Sequence, residues 1–163
     1  MSGQDWIPAV GDDMPPSGVR GFSPTALEAA MRRKGAASDD LADGIGVSRQ
    51  SVSAWLSGKT VPTPVMIGKA ATWLNVRTAD LIPIPPDKLR LADLRTRAGL
   101  NQRNAAELIG VSASVLYEAE KGRREKSDDW LAVMSEAYGV AIEDVASAWD
   151  RTRAARAARI EGL

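Results

Sequence analysis

From Phe22 onward the sequence superimposes on itself when shifted by 64 positions, without a gap. Leu27 falls on Leu91, Arg33 on Arg97, Gly35 on Gly99 and Ala42 on Ala106. Ile45-Gly46-Val47-Ser48 falls on Ile109-Gly110-Val111-Ser112, and Gly58, Val76 and Asp80 fall on Gly122, Val140 and Asp144. The matches sit at glycines, caps and apolar positions, where backbone geometry is most constrained. Self-similarity at a fixed period means two copies of one supersecondary unit. A chain of 163 residues has room for two very small domains. The boundaries read as an arm over 1–21, a first domain over 22–84, a second over 85–147 and a tail over 148–163. The join "IPIPP", Ile82 to Pro86, is short and Pro-rich, which predicts a stiff, extended spacer.

Each copy predicts five short helices. In the first, Ser23 caps and Pro24 takes the first helical position, with a stop at Gly35. Ser38-Asp39-Asp40 opens a second helix closed by Gly46, Ser48 caps a third closed by Gly58, Thr63-Pro64 opens a fourth, and a last begins near Thr78. In the second copy Ser112 caps the third helix and Ser127-Asp128-Asp129 opens the fourth. No segment alternates apolar and polar residues long enough for a strand, so the fold class is all-α. Aromatics are 5% of the chain, so the cores must be built mostly from Ala, Val, Leu and Ile. Ala119 stands where Trp55 stands, and Trp130 stands where Met66 does. The large ring is expected to have moved across the same core at roughly constant volume.

The third helix of the first copy carries the chemistry. At 100° per residue, Val52, Trp55 and Leu56 share one face, which must be buried. Gln50, Ser53, Ala54 and Ser57 lie opposite, and Arg49, Gln50 and Ser51 fill the first turn. Arg and Gln make bidentate hydrogen bonds to guanine and adenine edges respectively. Offering them from the first turn of a short helix suits end-first entry into a major groove.

"LADGIGVSRQSVSAWLSGKTVP" resembles the helix-turn-helix of the lambda-repressor-like family, also called Cro/cI or XRE. "LNQRNAAELIGVSASVLYEAEKGRR" resembles the same pattern. "KAATWLNVRTADLI" and "VMSEAYGVAIEDVA" are similar to its fourth and fifth helices. The resemblance implies two tandem five-helix DNA-binding domains and a transcription regulator, with double-stranded operator DNA as partner. It places Arg49, Gln50, Ser51 and Ala54 at base-facing positions, with Ser53 on the same face, and Lys59 at a phosphate-facing one. In the second copy the base-facing positions hold Ala113, Ser114, Val115 and Glu118, with Tyr117 beside them. Lys121, Arg123, Arg124 and Lys126 follow as a basic loop. The family's Gln at the start of helix two is Ser38 in the first copy, followed by Asp39 and Asp40, which would repel phosphate. The second copy keeps Gln102, followed by Arg103. The first copy is expected to read bases, and the second to grip phosphates.

Charge agrees with local rather than global attraction. The net is zero, with −2 over 1–21, +2 over 22–84, −2 over 86–147 and +2 over 148–163. The acidic pairs Asp39-Asp40 and Asp128-Asp129 follow a serine in a first helical turn, where the helix dipole favours acids. There is no Cys and no His. That removes disulfides, thiolate metal sites and the commonest acid-base group. No Ser-His-Asp, P-loop or dinucleotide fingerprint occurs, so neither an enzyme nor a cofactor is expected. The acidic, Pro-rich start lacks the apolar stretch of a signal peptide, and the chain is expected to be cytoplasmic, with no membrane partner. Trp6 and Ile7 could dock on the fold or belong to an unstructured arm. The tail "DRTRAARAARIEGL" could extend the last helix and grip phosphates, or stand as a solvated end.

Three functions fit. The first is a repressor, of the kind a phage or mobile element uses for immunity, with both copies of one chain on an asymmetric bipartite site. The second is a symmetric dimer in which the second copy pairs with its twin and the first reads a palindrome. The third is an antitoxin or anti-activator whose second copy binds a regulatory protein.

Overall fold

The computed structural model describes residues 19–163. The expected docking of Trp6 and Ile7 lies outside them. The described residues hold no strand and form ten α-helices: α1 (Pro24–Lys34), α2 (Ser38–Ile45), α3 (Arg49–Leu56), α4 (Pro64–Leu74), α5 (Thr78–Leu81), α6 (Leu91–Arg97), α7 (Gln102–Ile109), α8 (Ala113–Glu120), α9 (Asp128–Tyr138) and α10 (Ile142–Glu161). Five of the caps named in the sequence do their work. The hydroxyls of Ser23, Ser48, Thr63, Ser112 and Ser127 accept from the backbone N–H three residues on. Ser38 is the exception: Ala37 occupies the cap of α2, and its N–H donates to Asp40 Oδ2 at 2.8 Å. Gly46 and Gly110 turn the chain after α2 and α7 at φ 76° and 89°, a region that only glycine enters without strain.

Two cores form. The first gathers Leu27, Leu41, Val52, Trp55, Ile67 and Leu81; the second gathers Leu91, Leu116, Met134, Val145 and Trp149. Leu89 packs against both.

Three expectations change. The join is not a bare spacer. Ile82 and Ile84 are two apart and turn to the same side, into the first core, while Pro83 and Pro85 face solvent. A one-turn 3-10 helix, Pro86–Lys88, follows. The arm is anchored before it ends: Val19 is buried in the first core, and Arg20 pairs with Asp93 of α6. The large ring of the second core is Trp149, not Trp130. Trp149 is fully buried and donates its indole N–H to Arg124 O at 2.9 Å, while half-buried Trp130 stacks on it edge-on at 5.6 Å. Trp149 comes from the last helix, which runs on where the first domain has Pro83 and Pro85. Its Thr152 is buried, accepts from Leu91 N at 3.0 Å and donates to Ala148 O, so the tail is locked to the start of α6.

The domains also meet directly. Arg97 donates to Ile82 O and Ile84 O, both at 2.8 Å, and the Thr78 hydroxyl donates to Arg97 O. Burial lowers the Arg97 pKa from its ordinary value, with Asp93 opposing the shift. Gly68 of α4 and Gly99 after α6 approach so closely that a Cβ on Gly68 would lie 3.4 Å from the Gly99 Cα.

Candidate nucleic-acid interface

In the first domain α2, the turn at Gly46 and α3 form the helix-turn-helix. Val52 and Trp55 are buried and fasten α3 to its own core, while Leu56 is half-buried against it. That leaves Arg49, Gln50 and Ser53 exposed on the outer face. Ser51, expected to project outward, is half-buried and tied to its cap, with its Oγ 3.0 Å from Ser48 Oγ. Ala54 is half-buried; its carbonyl accepts from the N–H groups of Lys59 and Thr60 at 2.9 and 3.2 Å, which folds the loop back and brings Lys59 alongside α3. Arg49, Gln50, Ser53, Ala54, Ser57 and Lys59 line one open groove of about 580 Å³. Its lining carries two cations, two hydroxyls and a carboxamide, the donor set that base edges and phosphates take.

Asp39 does more than repel. Its carboxylate lies 3.1 Å from Arg49 Nε, and both groups are exposed. An exposed pair of this kind adds little stability. It does bias the guanidinium toward one orientation at the mouth of the groove.

The second domain reuses the scaffold differently. Ser114 and Arg103 are exposed. Tyr117 is exposed on α8, with Lys121 Nζ 5.5 Å from its ring centre. The loop cations face acids of their own domain. Arg123 pairs with Glu118 at 2.7 Å and Lys126 with Asp150 at 2.6 Å, while the Arg124 side chain is exposed. Gln102 is turned inward: its amide donates to Glu120 Oε1 at 2.9 Å. Glu120 in turn takes a bidentate contact from Arg95, Nε to Oε2 at 2.6 Å and Nη2 to Oε1 at 3.1 Å, and Arg95 Nη1 donates to Leu100 O. This buried ion pair occupies the places of Met31 and Leu56 in the first domain. Residue type alone does not reveal it, because Arg95 and Glu120 read as surface residues. The 64-residue offset does, by setting both opposite apolar positions. Beside them the Tyr138 hydroxyl is buried without a hydrogen-bond partner. Burial, reinforced by Glu120 and opposed by Arg95, pushes its pKa up.

Residues 27–81 match the family model described as "Helix-turn-helix", and residues 89–149 match one described as "Helix-turn-helix domain". No curated protein and no solved structure matches the chain. The fold thus belongs to the helix-turn-helix class of DNA-binding proteins. Within that class the chain carries two tandem lambda-repressor-like helix-turn-helix domains, which makes it a DNA-binding regulator. Among the described residues no helix is long and apolar enough to cross a membrane.

Proposed function

We propose that the chain is a sequence-specific repressor that sets both domains of one molecule on a single asymmetric operator. The observation that carries this reading is the packed junction. Arg97 holds the join by two carbonyls, the Thr78 hydroxyl holds Arg97 O, and Arg20 reaches Asp93. A junction held at several points keeps α3 and α8 at one separation and one phase. Two helices held so match two adjacent segments of one duplex, spaced at or below the roughly 34 Å of paired half-sites. The α3 groove supplies base contacts through Arg49 and Gln50. The second domain supplies backbone contacts through Arg103, Arg123 and Arg124, with Ser114, Tyr117 and Lys121 beside them. Gln102 serves the fold rather than the duplex. Repression follows from covering a promoter.

The test is selection of bound sequences from a random duplex pool by the full chain. One conserved block read by α3, flanked on one side by a segment of weak base preference, is expected. A palindromic consensus would refute the single-molecule arrangement. The dimer reading draws on one feature of the second domain: Leu108 of α7 is 60% exposed, a large apolar residue without cover. Equilibrium sedimentation of the free protein at micromolar concentration separates the two, with a monomer expected.

A further inference from the structure

The α3 groove has a counterpart in the second domain, and the last helix transforms it. Ser53, Ser57 and Lys59 of the first groove become Tyr117, Lys121 and Arg123. These three line a narrower cleft of about 240 Å³ whose opposite wall is α10, through Thr152, Arg156 and Arg159. The first domain has no such wall, because its chain leaves α5 through the Pro-containing join.

The wall is built in. Gly122, directly after α8, is buried, and a Cβ there would lie 3.0 Å from Thr152 O and from Arg156 Cβ. The absence of a side chain is what lets α10 seat against the loop. Thr152, bonded to Leu91 N and Ala148 O, fixes the register that turns Arg156 and Arg159 to the cleft. Arg90 completes the lining. Arg156 is half-buried, and neither it nor Arg159 has an ion-pair partner among the described residues. Of the acids nearby, Glu120 is met by Arg95 and Glu118 by Arg123. The cleft therefore keeps an excess of positive charge beside an exposed aromatic ring.

We propose that this cleft is a phosphate-binding site completed by α10. The Arg156 and Arg159 guanidinium forks of the α10 wall take phosphate oxygens in a bidentate manner, and the Tyr117 ring in the same lining gives the attached nucleoside a face to lie on. The phosphate can belong to the backbone of a bound duplex, which rests on the function proposed above, or to a free nucleotide; the recognition chemistry is the same.

The experiment uses the full chain, the double variant Arg156→Ala/Arg159→Ala, and Arg153→Ala as control. Arg153 sits on the same helix but near Glu125, away from the cleft lining. All three changes fall on exposed or half-buried helix positions where Ala is a good helix former. Duplex affinity is measured against salt, and ATP and inorganic pyrophosphate are titrated without DNA while the Tyr117 ring signals are followed by NMR. A salt slope reduced by about 2 in the double variant, and retained in the control, supports the site with a backbone phosphate as occupant. An unchanged slope with ATP or pyrophosphate shifting Tyr117 in the wild type, and not in the double variant, supports it with a free phosphate. No change in either measurement overturns it. If the wild-type chain binds no duplex but pyrophosphate shifts Tyr117, the repressor reading fails and the cleft stands.

Discussion

Arg95 and Glu120 sit where the first domain uses Met31 and Leu56, so the protein contains its own alternative to this ion pair. Their side chains are 3% and 4% exposed, and two hydrogen bonds join them. Removing one partner strands the other as an uncompensated buried charge, which costs about 3–5 kcal/mol. Glu120→Leu should fall in this range, because Arg95 keeps only Leu100 O. Arg95→Met should fall there too, because Glu120 keeps only the Gln102 amide. With a urea dependence of about 1–3 kcal/mol per molar, each single change lowers the midpoint for the second domain by about 2 M. The double variant Arg95→Met/Glu120→Leu installs the first domain's solution. Replacing a buried pair by apolar groups of fitting volume is neutral or stabilising by about 1–4 kcal/mol. The unpaired Leu100 carbonyl offsets about 1 kcal/mol of that gain. The double variant should therefore lie between about 1 kcal/mol below and about 3 kcal/mol above wild type, far above either single. Urea titration followed by the NMR signal of the Trp149 indole N–H, which bonds Arg124 O inside the second core, measures this domain apart from the first. Single variants costing under about 1 kcal/mol, or a double variant as unstable as the summed singles, would refute the reasoning.

Further predictions address other parts of the chain. Arg49→Ala should cost about 1–3 kcal/mol of operator affinity and relax the preference at one base pair, measured by competition binding on point-substituted duplexes. Tyr138→Phe removes a buried hydroxyl without a partner and should raise stability by about 1 kcal/mol in thermal unfolding. Gly122→Ala forces a side chain into a left-handed position at φ 77° and against Thr152 O. It should destabilise the second domain by more than about 1 kcal/mol, again read from the Trp149 indole signal. The Arg77 backbone N–H, and secondarily its side chain, hold Asp80 below its ordinary pKa of 3.8. A depressed carboxylate stabilises the fold above that value, and its contribution fades as pH falls through the folded pKa. Carboxyl NMR should place Asp80 below 3.8 and show only a partial return in Arg77→Ala, since the backbone donor remains.

The helices were legible because their ends are chemically marked. Ser48 and the glycine after α2 each satisfy or release backbone groups in a way few residues can, and both recur in the second copy as Ser112 and Gly110, while Ser127 takes the capping place of Thr63. The exposed edge of α3 was legible for a related reason: Val52 and Trp55 fix the buried face, so Arg49 and Gln50 must lie outside. What stayed hidden involves residues whose partners are backbone atoms or distant in sequence. Arg97 matches Arg33 in the repeat, yet only Arg97 grips the join, and it grips carbonyls, which carry no sequence signature. Trp149 and Thr152 lie in a stretch of Ala and Arg that the sequence leaves open between an extended phosphate-gripping helix and a solvated end, and only the fold shows that one face of it is core. The hydrogen bond of Gln102 to Glu120 stayed hidden because that partner is 18 residues away on the next helix.

In the proposed arrangement one chain, held at its junction by Arg97, Thr78 and Arg20, covers one asymmetric site. Hydroxyl-radical footprinting combined with native mass measurement of the complex tests it most directly. One chain per duplex is expected, with two adjacent protected segments without dyad symmetry. The segment under α3 should lose protection in Arg49→Ala, and the segment under the second domain in Arg123→Ala. Two chains per duplex with protection mirrored about a dyad would contradict it.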